Sequence, residues 1–402
     1  MIDWASLEAA NAALNAFTDF DRKARGGDGP LADLTVGVKA NIAVQDMPWT
    51  AGLDAFRDRT AERDAEVVCR LRHAGAAIIG MLNMEEAALG AKTDNPWFGA
   101  TQNPHKPGYT PGGSSGGSGA AVAAGLCDIA LGTDTMGSVR IPAAYCGVYG
   151  FKPARGALSQ DGLEIVDASL DGIGPLARSL ETLERAARVM MDFAEPQAIE
   201  NIALLDNLGG VECQPGVLSA YRKAADFLEA QSSFALPYAL TRIRFAGFIL
   251  STLGLSKELH AELSAGGTGL SDTLKKLISY GTKRSEDDLA EDKAILQETS
   301  DAMIAIVAEH GAILLPTAPQ TAFPHAQPAP ANQAVFTCLA NISGLPAISI
   351  PAGLDTNGLP LAVQLIGEAG NEAGLFALAH KLDAYLAGYN RPKVFWDKQQ
   401  KK

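Results

Sequence analysis

Serine and lysine side chains in three short segments of the chain could form and break a covalent bond. Ser114 lies in the glycine-rich stretch TPGGSSGGSGAAVAAG (110–125), Ser138 lies in GTDTMGSVRIP (132–142), and Lys39 follows the apolar run TVGV. A serine hydroxyl becomes a strong nucleophile only when a base removes its proton. Lysine can be that base when it is neutral, and burial among apolar residues lowers its pKa toward that state. These residues predict a serine nucleophile activated by lysine, with a second serine as a relay.

The glycine-rich stretch has three other interpretations. A flexible Gly/Ser linker is one, but the stretch continues without a polar break into the helix-forming run GAAVAAG (119–125). A phosphate-binding loop is the second, but Gly119-Ala120 stands where the Walker motif requires Lys followed by Ser or Thr. The third is a nucleophile elbow, since GGSSG (112–116) satisfies G-x-S-x-G. An elbow must follow a buried strand, however, and prolines precede this segment instead.

Ser138 lies between a predicted strand and a predicted helix. Residues 127–135 predict the strand, a Gly-Ser turn follows, and Pro142 stands in the first turn of the helix, where proline is favoured. Backbone N–H groups converge at such a turn and can stabilise the negative oxygen of a tetrahedral intermediate. Ser138 is therefore a candidate nucleophile with an oxyanion hole beside it.

The same segments resemble the motifs of a known family. GVKAN (37–41), GGSSGGSGAAVAAG (112–125) and GTDTMGSVRIPAAYCGVYGFKP (132–153) are similar to the signature of the amidase signature family. LLPTAP (314–319) and the segment from NISGLPAISIPAG to GLPLAVQLIG (341–367) extend the resemblance, which covers about residues 31–390. It implies an α/β fold with a mixed, twisted β-sheet covered by helices on both faces. It also implies a Ser-cisSer-Lys amide hydrolase that forms an acyl-enzyme and needs no cofactor and no metal.

The resemblance implies a role for each matching residue. Ser138 matches the nucleophile, Ser114 matches the serine held by a cis peptide bond, and Lys39 matches the base. The backbone N–H groups expected to form the oxyanion hole are those of Thr135, Met136, Gly137 and Ser138. Asp134 and Arg140 belong to the same motif, and we expect them to fix the loop or to contact the edge of the substrate.

The chain departs from the family pattern at two positions. Met136 stands where most members have glycine, so the oxyanion loop either avoids the left-handed conformations that glycine favours or is strained there. The methionine side chain is also expected to narrow or line the acyl pocket. Ala40 stands where the family commonly has Asp after the lysine, which affects the position or the pKa of Lys39. Both departures concern rate and substrate range more than the type of reaction.

Composition excludes several classes of function. The 402 residues, 47% of them apolar, can bury a substantial core. A net charge of −13 and the lack of a long basic run argue against nucleic acids and anionic membrane surfaces as partners. The sequence has no signal-peptide pattern and no run of about 18 apolar residues, so we expect a cytoplasmic location and no membrane span. Five scattered cysteines and six scattered histidines predict neither a disulfide framework nor a metal site.

Strand-like and helical patterns alternate along the chain, which predicts an α/β sandwich with a mixed sheet. The predicted strands are 35–44, 76–80, 127–135, 201–205, 311–316, 346–353 and 361–367, and the predicted helices include 61–75, 178–193, 214–230 and 287–309. We expect one domain over residues 1–402, with the signature core at about 31–180 and 311–390. Residues 195–300 are either a variable, substrate-facing region or an ordinary helical part of the core.

The sequence therefore predicts an amidase (EC 3.5.1.-) that hydrolyses a linear carboxylic amide to a carboxylate and ammonia or an amine. One alternative is the glutaminase (A) subunit of a tRNA-dependent amidotransferase, which shares the signature and requires a second protein as partner. Another is a binding protein that has lost catalysis because Met136 blocks the oxyanion hole. A small-molecule amide is the expected partner, and a homo-oligomer is compatible with the sequence.

Overall fold

The computed structural model describes residues 2–395, and one large β-sheet organises them. Thirteen strands and twelve α-helices lie within these residues. The strands are β1 (Phe17–Phe20), β2 (Thr35–Lys39), β3 (Ala77–Leu82), β4 (Asp94–Asn95), β5 (Gly99–Ala100), β6 (Ile129–Thr133), β7 (Tyr149–Lys152), β8 (Ile173–Ala177), β9 (Ile202–Leu205), β10 (Ser232–Phe234), β11 (Ala312–Pro316), β12 (Ala347–Leu354) and β13 (Pro360–Gly367). The helices are α1 (Trp4–Ala12), α2 (Glu66–His73), α3 (Gly116–Ala123), α4 (Arg140–Cys146), α5 (Leu180–Met190), α6 (Pro215–Phe227), α7 (Leu240–Glu258), α8 (His260–Ser264), α9 (Asp272–Thr282), α10 (Glu286–His310), α11 (Cys338–Ser343) and α12 (Glu372–Leu386).

The main sheet has eleven strands in the order β1-β3-β2-β6-β8-β7-β12-β13-β11-β9-β10, and β4 and β5 form a separate pair. Strand β2 runs parallel to both β3 and β6, and β9 runs parallel to β10 and β11. The remaining neighbours in the main sheet are antiparallel. The mixed sheet predicted from the sequence is confirmed.

Helices cover both faces of the sheet. Because successive side chains of a strand point to opposite faces, β6 contributes Ile129 and Leu131 to one apolar cluster and Ala130 to another. The first cluster contains residues of α2, α5 and α9, and the second contains residues of α1, α3 and α4. The α/β fold with helices on both faces is therefore as the family resemblance implied.

Every strand and helix predicted from the hydrophobic patterns is present, with bounds that differ from the predicted ones. The strand predicted over 35–44 ends at Lys39, because the Ile42 N–H turns back to bond the Lys39 carbonyl 2.9 Å away. The 195–300 region forms β9 and β10 at one edge of the sheet with α6 between them in sequence, and then the helices α7 to α9 and the first part of α10. None of the helices within residues 2–395 is long and apolar enough to cross a bilayer. A single domain stays a prediction, and residues 1 and 396–402 of its bounds lie outside the described part of the chain.

The parallel neighbours β2 and β6 bring their carboxyl ends to one edge of the sheet. Lys39 is the last residue of β2, and Thr133 is the last residue of β6. Helices α3 and α4 pack against each other, and they begin directly after the two serine-containing loops. The sheet edge and the two helix starts thus bring together the three segments singled out in the sequence.

Candidate active site

Lys39 is completely buried at the end of β2, and its ammonium group contacts two hydroxyls. Its Nζ lies 2.7 Å from Ser114 Oγ and 2.7 Å from Thr133 Oγ1. Burial lowers the pKa of Lys39 to about 7, although the negative charges of Asp171, Asp134 and Glu85 act in the opposite direction. Lys39 is therefore partly neutral at neutral pH, and a neutral lysine beside a serine hydroxyl can accept its proton.

Ser114 follows a cis peptide bond from Gly113, as the family resemblance implied. The glycines around it are packed against other backbone and side-chain atoms. A Cβ at Gly113 would lie 2.8 Å from Lys92 N, and a Cβ at Gly116 or at Gly117 would overlap neighbouring atoms. Tight packing therefore accounts for the glycine content of this stretch, which is neither a flexible linker nor an open phosphate cradle.

Two further serines of the stretch attach α3 to β6, a role that was not predicted from the sequence. Ser115 Oγ accepts a hydrogen bond from the Thr133 N–H and donates one to the Thr133 carbonyl, both at 3.2 Å. Ser118 Oγ donates to the Leu131 carbonyl at 2.9 Å. In the sequence, the repeated serines at the start of an otherwise apolar helix could have indicated this role. These bonds hold Ser114 at a fixed distance from the end of β6.

Ser138 lies two residues before α4 and is 9% exposed. The Ser115 N–H donates to the Ser138 carbonyl at 3.3 Å, so the two serine loops lie side by side. Within residues 2–395 the Ser138 hydroxyl forms no hydrogen bond. The structure thus joins Lys39 to Ser114 directly and places Ser138 beside that pair without a hydrogen bond between the two serine hydroxyls.

The loop from Asp134 to Ser138 divides its backbone N–H groups between two uses. The Gly137 N–H donates to Asp134 Oδ1 at 2.7 Å, so it is directed into the protein and not toward a substrate, contrary to the expectation for this residue. The N–H groups of Thr135, Met136 and Ser138 have no partner among the described residues. Three of the four expected donors are therefore free to bind an oxyanion.

Met136 does not strain the loop. The left-handed conformation falls on Gly137, whose φ is +130°, while Met136 is not among the residues with positive φ. A Cβ at Gly137 would overlap Thr337 Oγ1, which also donates a 2.7 Å hydrogen bond to the Met136 carbonyl. The Met136 side chain lies against Gly247 of α7, where an added Cβ would be 3.0 Å from the Met136 methyl carbon. The methionine therefore shapes the cavity wall and leaves the backbone conformation unaffected.

Asp134 and Arg140 are fully buried and bind each other, with Arg140 Nη2 3.0 Å from Asp134 Oδ1. Burial would raise the pKa of Asp134, but the Arg140 charge and hydrogen bonds lower it to about 2. Arg140 also donates to Gln364 Oε1 at 2.9 Å and to Asn341 Oδ1 at 2.6 Å. Neither member of the pair lines the cavity at Ser138. They fix the loop, which is one of the two roles expected for them, and a contact with the edge of the substrate stays a prediction.

Asp171 is a buried carboxylate of the site that was not predicted from the sequence. It accepts a 2.5 Å hydrogen bond from Thr135 Oγ1 and a 2.6 Å bond from the Val166 N–H. Burial raises the pKa of Asp171 to about 6, and its charge in turn raises the pKa of Lys39. In the sequence, an acidic residue two positions before the glycine-containing strand β8 could have indicated this role. Asp171 therefore links the oxyanion loop to the electrostatics of the lysine.

Two other residues near the motifs serve the core. Ala40 is buried, and its N–H donates to the Leu82 carbonyl at 3.1 Å. Cys146 donates a 3.4 Å hydrogen bond to the Pro111 carbonyl, and burial raises the pKa of its thiol. A thiol held in its protonated form is a poor nucleophile, so Cys146 behaves as a small apolar residue.

A cavity of about 280 Å³ opens at Ser138. Thr135 and Met136 form one side, and Arg244, Phe248 and Ser251 of α7 form another. Part of the 195–300 region thus faces the candidate nucleophile. A larger cavity of about 680 Å³ lies along residues 204–233, and none of the candidate catalytic residues lines it. We therefore take the smaller cavity as the substrate site.

The chain is similar to known proteins over nearly its whole length. The Amidase family matches residues 3–376. The chain belongs to the amidase signature family. Among curated relatives, the A subunit of glutamyl-tRNA(Gln) amidotransferase from Exiguobacterium sp. is 32% identical, over 93% of this chain and 88% of the relative. The A subunit from Methanothermobacter thermautotrophicus is 33% identical, over 91% of this chain and 90% of the relative.

Solved structures of family members share the fold over nearly the whole chain. A protein from a vestigial complex that reveals the evolutionary origins of an s-triazine catabolic enzyme has a TM-score of 0.89 and 28% identity, over 96% of this chain and 94% of that one. The A subunit of glutamyl-tRNA(Gln) amidotransferase from Thermotoga maritima has a TM-score of 0.86 and 27% identity, over 98% and 94%. The predicted family and fold are confirmed, and the family's enzymes act on amide C–N bonds. The curated relatives match the amidotransferase alternative better than a general amidase.

Proposed function

We propose that this amidase-signature protein hydrolyses a carboxamide through Ser138 and releases ammonia, as the A subunit of a tRNA-dependent amidotransferase would. The observation that carries the chemistry is the contact between Lys39 Nζ and Ser114 Oγ in a buried site. Burial disfavours the protonated form of Lys39 and lowers its pKa. The lysine Nζ is also within hydrogen-bond distance of two hydroxyl groups, those of Ser114 and Thr133. Such a lysine is suited to accept a proton and return it within one catalytic cycle.

In the proposed cycle, neutral Lys39 takes the proton of Ser114 while Ser114 takes that of Ser138. The Ser138 Oγ then bonds to the amide carbon, and the carbonyl oxygen becomes negative. The N–H groups of Thr135, Met136 and Ser138 stabilise that oxygen, since they have no other partner within the described chain. The relay then returns its proton to the amide nitrogen, the C–N bond breaks, and ammonia leaves. Water hydrolyses the acyl-enzyme by the reverse proton path and restores Ser138.

The geometry at Met136 favours catalysis over a binding function. A binding protein was one alternative because methionine could block the oxyanion hole. The Met136 N–H is free among the described residues, and its side chain lies against α7 at Gly247. The loop around it is held by the Asp134–Arg140 pair. We therefore assign Met136 to the wall of the substrate cavity.

A test of the chemistry is ammonia release from an amide panel, with hydroxylamine added to trap the acyl group as a hydroxamate. Ser138→Ala is expected to abolish both products. Ser256→Ala is the matched control, because the Ser256 hydroxyl donates within α7 to the Leu253 carbonyl, outside the cavity lining. Unchanged ammonia release by Ser138→Ala would overturn the assignment of the nucleophile.

The relatives' names support a role as one component of a larger enzyme. We propose that a second protein directs the released ammonia, and that the reaction takes place in the cytoplasm, where tRNA-linked reactions occur. A stand-alone amidase is the second candidate, since one solved neighbour with a TM-score of 0.85 and 27% identity is described simply as an amidase. Affinity purification from the source cells decides between them. A stoichiometric partner supports the role in a larger enzyme, and a chain that purifies alone with full activity contradicts it.

A further inference from the structure

One arginine of α7 differs from a nearby arginine in having no ionic or hydrogen-bond partner among residues 2–395. Arg242 forms a 2.6 Å ion pair with Asp292. Arg244, two residues later, forms neither an ion pair nor a hydrogen bond with any residue of the described chain. It is half-buried and lines the same cavity as Ser138. Burial lowers the pKa of Arg244, in keeping with a cation that has no carboxylate beside it among the described residues. A desolvated charge is costly unless a partner neutralises it, so the partner is expected to be a ligand.

Arg244 is also the only charged side chain among the described residues that line this cavity. The other lining groups are apolar or neutral. An adjoining cavity contains carboxylates that are bound within the protein: Glu85 accepts hydrogen bonds from the Lys92 and Thr93 N–H groups, Glu86 accepts them from Trp97 and Ser271, and Asp94 forms an ion pair with Lys92. Among the described residues, the lining of the cavity at Ser138 itself presents one positive charge and no carboxylate.

We infer that Arg244 binds a carboxylate of the substrate, so that the amide cleaved at Ser138 is the half-amide of a short dicarboxylic acid. This inference rests on the proposed function and specifies its substrate class. A guanidinium binds a carboxylate through two parallel hydrogen bonds, which fixes both the position and the orientation of the ligand. Anchoring the carboxylate end holds the amide end near the nucleophile, which is how binding contributes to rate.

The described residues that line this cavity include no ionic partner for an ammonium group of the substrate. The half-amide glutaramate and the amino acid glutamine differ only in the α-ammonium of glutamine. In a cavity of about 280 Å³ whose lining contains no carboxylate, that ammonium would lose water without gaining an ionic partner. We therefore expect glutaramate to bind at least as well as glutamine, and the carboxylate to provide most of the recognition.

The test compares each half-amide with the neutral amide of the same length: malonamate with propionamide, succinamate with butyramide, and glutaramate with valeramide. Ammonia release gives kcat and KM for each. For at least one pair we expect the half-amide to have a kcat/KM about 10- to 100-fold higher, the factor that charge-assisted hydrogen bonds provide. Arg244→Met should remove that advantage mainly through KM, so that the charged and neutral members of the pair differ by no more than about 2-fold, and Arg244→Lys should recover part of it.

Arg222→Met is the matched control, because Arg222 is an exposed arginine of α6 that does not line this cavity. It should retain the preference for half-amides. Equal kcat/KM for the charged and neutral members of every pair would overturn the inference, as would an equal loss on both members in Arg244→Met. Glutamine preferred over glutaramate by more than about 10-fold would overturn the conclusion about the ammonium.

A binding measurement separates failure of this inference from failure of the proposed function. Calorimetry on Ser138→Ala, which should bind substrate without turnover, measures the affinity for the best half-amide with and without Arg244→Met. A loss of about 10-fold or more in affinity supports the carboxylate site even if the proposed nucleophile proves wrong. Unchanged affinity contradicts the site even if Ser138 proves to be the nucleophile.

Discussion

The buried lysine makes a quantitative prediction about the pH dependence of folding. Lys39 has a pKa of about 7 in the folded chain and an ordinary value of 10.5 in the unfolded chain. The unfolded state therefore binds the proton more tightly, and the folded state gains relative stability as the pH rises from 7 to 10.5. Each pKa unit corresponds to about 1.4 kcal/mol. Integrating the linkage relation gives a gain of about 3 to 4 kcal/mol between pH 7 and pH 10.

Lys39→Met isolates this contribution. The substitution also removes the contacts with Ser114 and Thr133, but their loss changes the free energy of unfolding by an amount that does not depend on the lysine's titration. Urea unfolding of the wild type and of Lys39→Met at several pH values between 7 and 10 gives the difference in free energy at each pH. We expect the stability of the wild type relative to the variant to increase by about 1 kcal/mol for each pH unit.

Lys257→Met, which replaces an exposed lysine near the end of α7, is the control and should give a stability difference that stays constant over this range. Lys39→Met should also lose amide hydrolysis at pH 7. A wild-type advantage over Lys39→Met that is independent of pH would refute the reasoning, because it would mean that Lys39 keeps an ordinary pKa in the folded protein and is a cation at neutral pH.

Three other substitutions test the oxyanion loop. Asp134→Asn leaves the buried Arg140 charge without its partner, so the free energy of unfolding by urea should fall by about 3 to 5 kcal/mol; an unchanged value would contradict a structural role. Gly137→Ala places a Cβ on Thr337 Oγ1 at a φ of +130°, and kcat should fall by about 100-fold, whereas normal kcat would mean that the loop conformation is not required. Met136→Ala opens the cavity wall facing Gly247, so kcat/KM for branched amides should rise relative to linear ones, and an unchanged ratio would exclude Met136 as a determinant of size.

The sequence predicted the parts of the site that local patterns encode. The apolar run around Lys39 predicted a strand with a lysine among apolar neighbours, although the strand was expected to continue to residue 44 and ends at Lys39. The glycine-rich and Gly-Ser segments predicted two turns that open onto helices. Strands β2 and β6 are parallel neighbours, so their ends had to meet once the fold was specified. The structure adds the 2.7 Å contact between Lys39 and Ser114, a distance that no local pattern determines.

The remaining features of the site depend on contacts between residues far apart in the chain, and these could not be predicted from the sequence. Arg244 lies more than 100 residues from Ser138. It belongs to the 195–300 region, for which the sequence allowed both a substrate-facing role and an ordinary helical part of the core. Only the tertiary structure shows that Arg242 is paired with Asp292 while Arg244 is left in the cavity. The direction of the Gly137 N–H was equally hidden, because it depends on where the Asp134 carboxylate lies after it binds Arg140.

The proposed mechanism requires that Ser138 carries the acyl group during turnover. The most direct test mixes the enzyme rapidly with a half-amide that it hydrolyses and quenches the reaction in acid within one turnover. The protein is then digested and its peptides are analysed by mass spectrometry. We expect an added acyl mass on the peptide that contains Ser138, and no added mass in Ser138→Ala. An acyl group found on Ser114, or steady ammonia release without any acylated peptide, would contradict the mechanism.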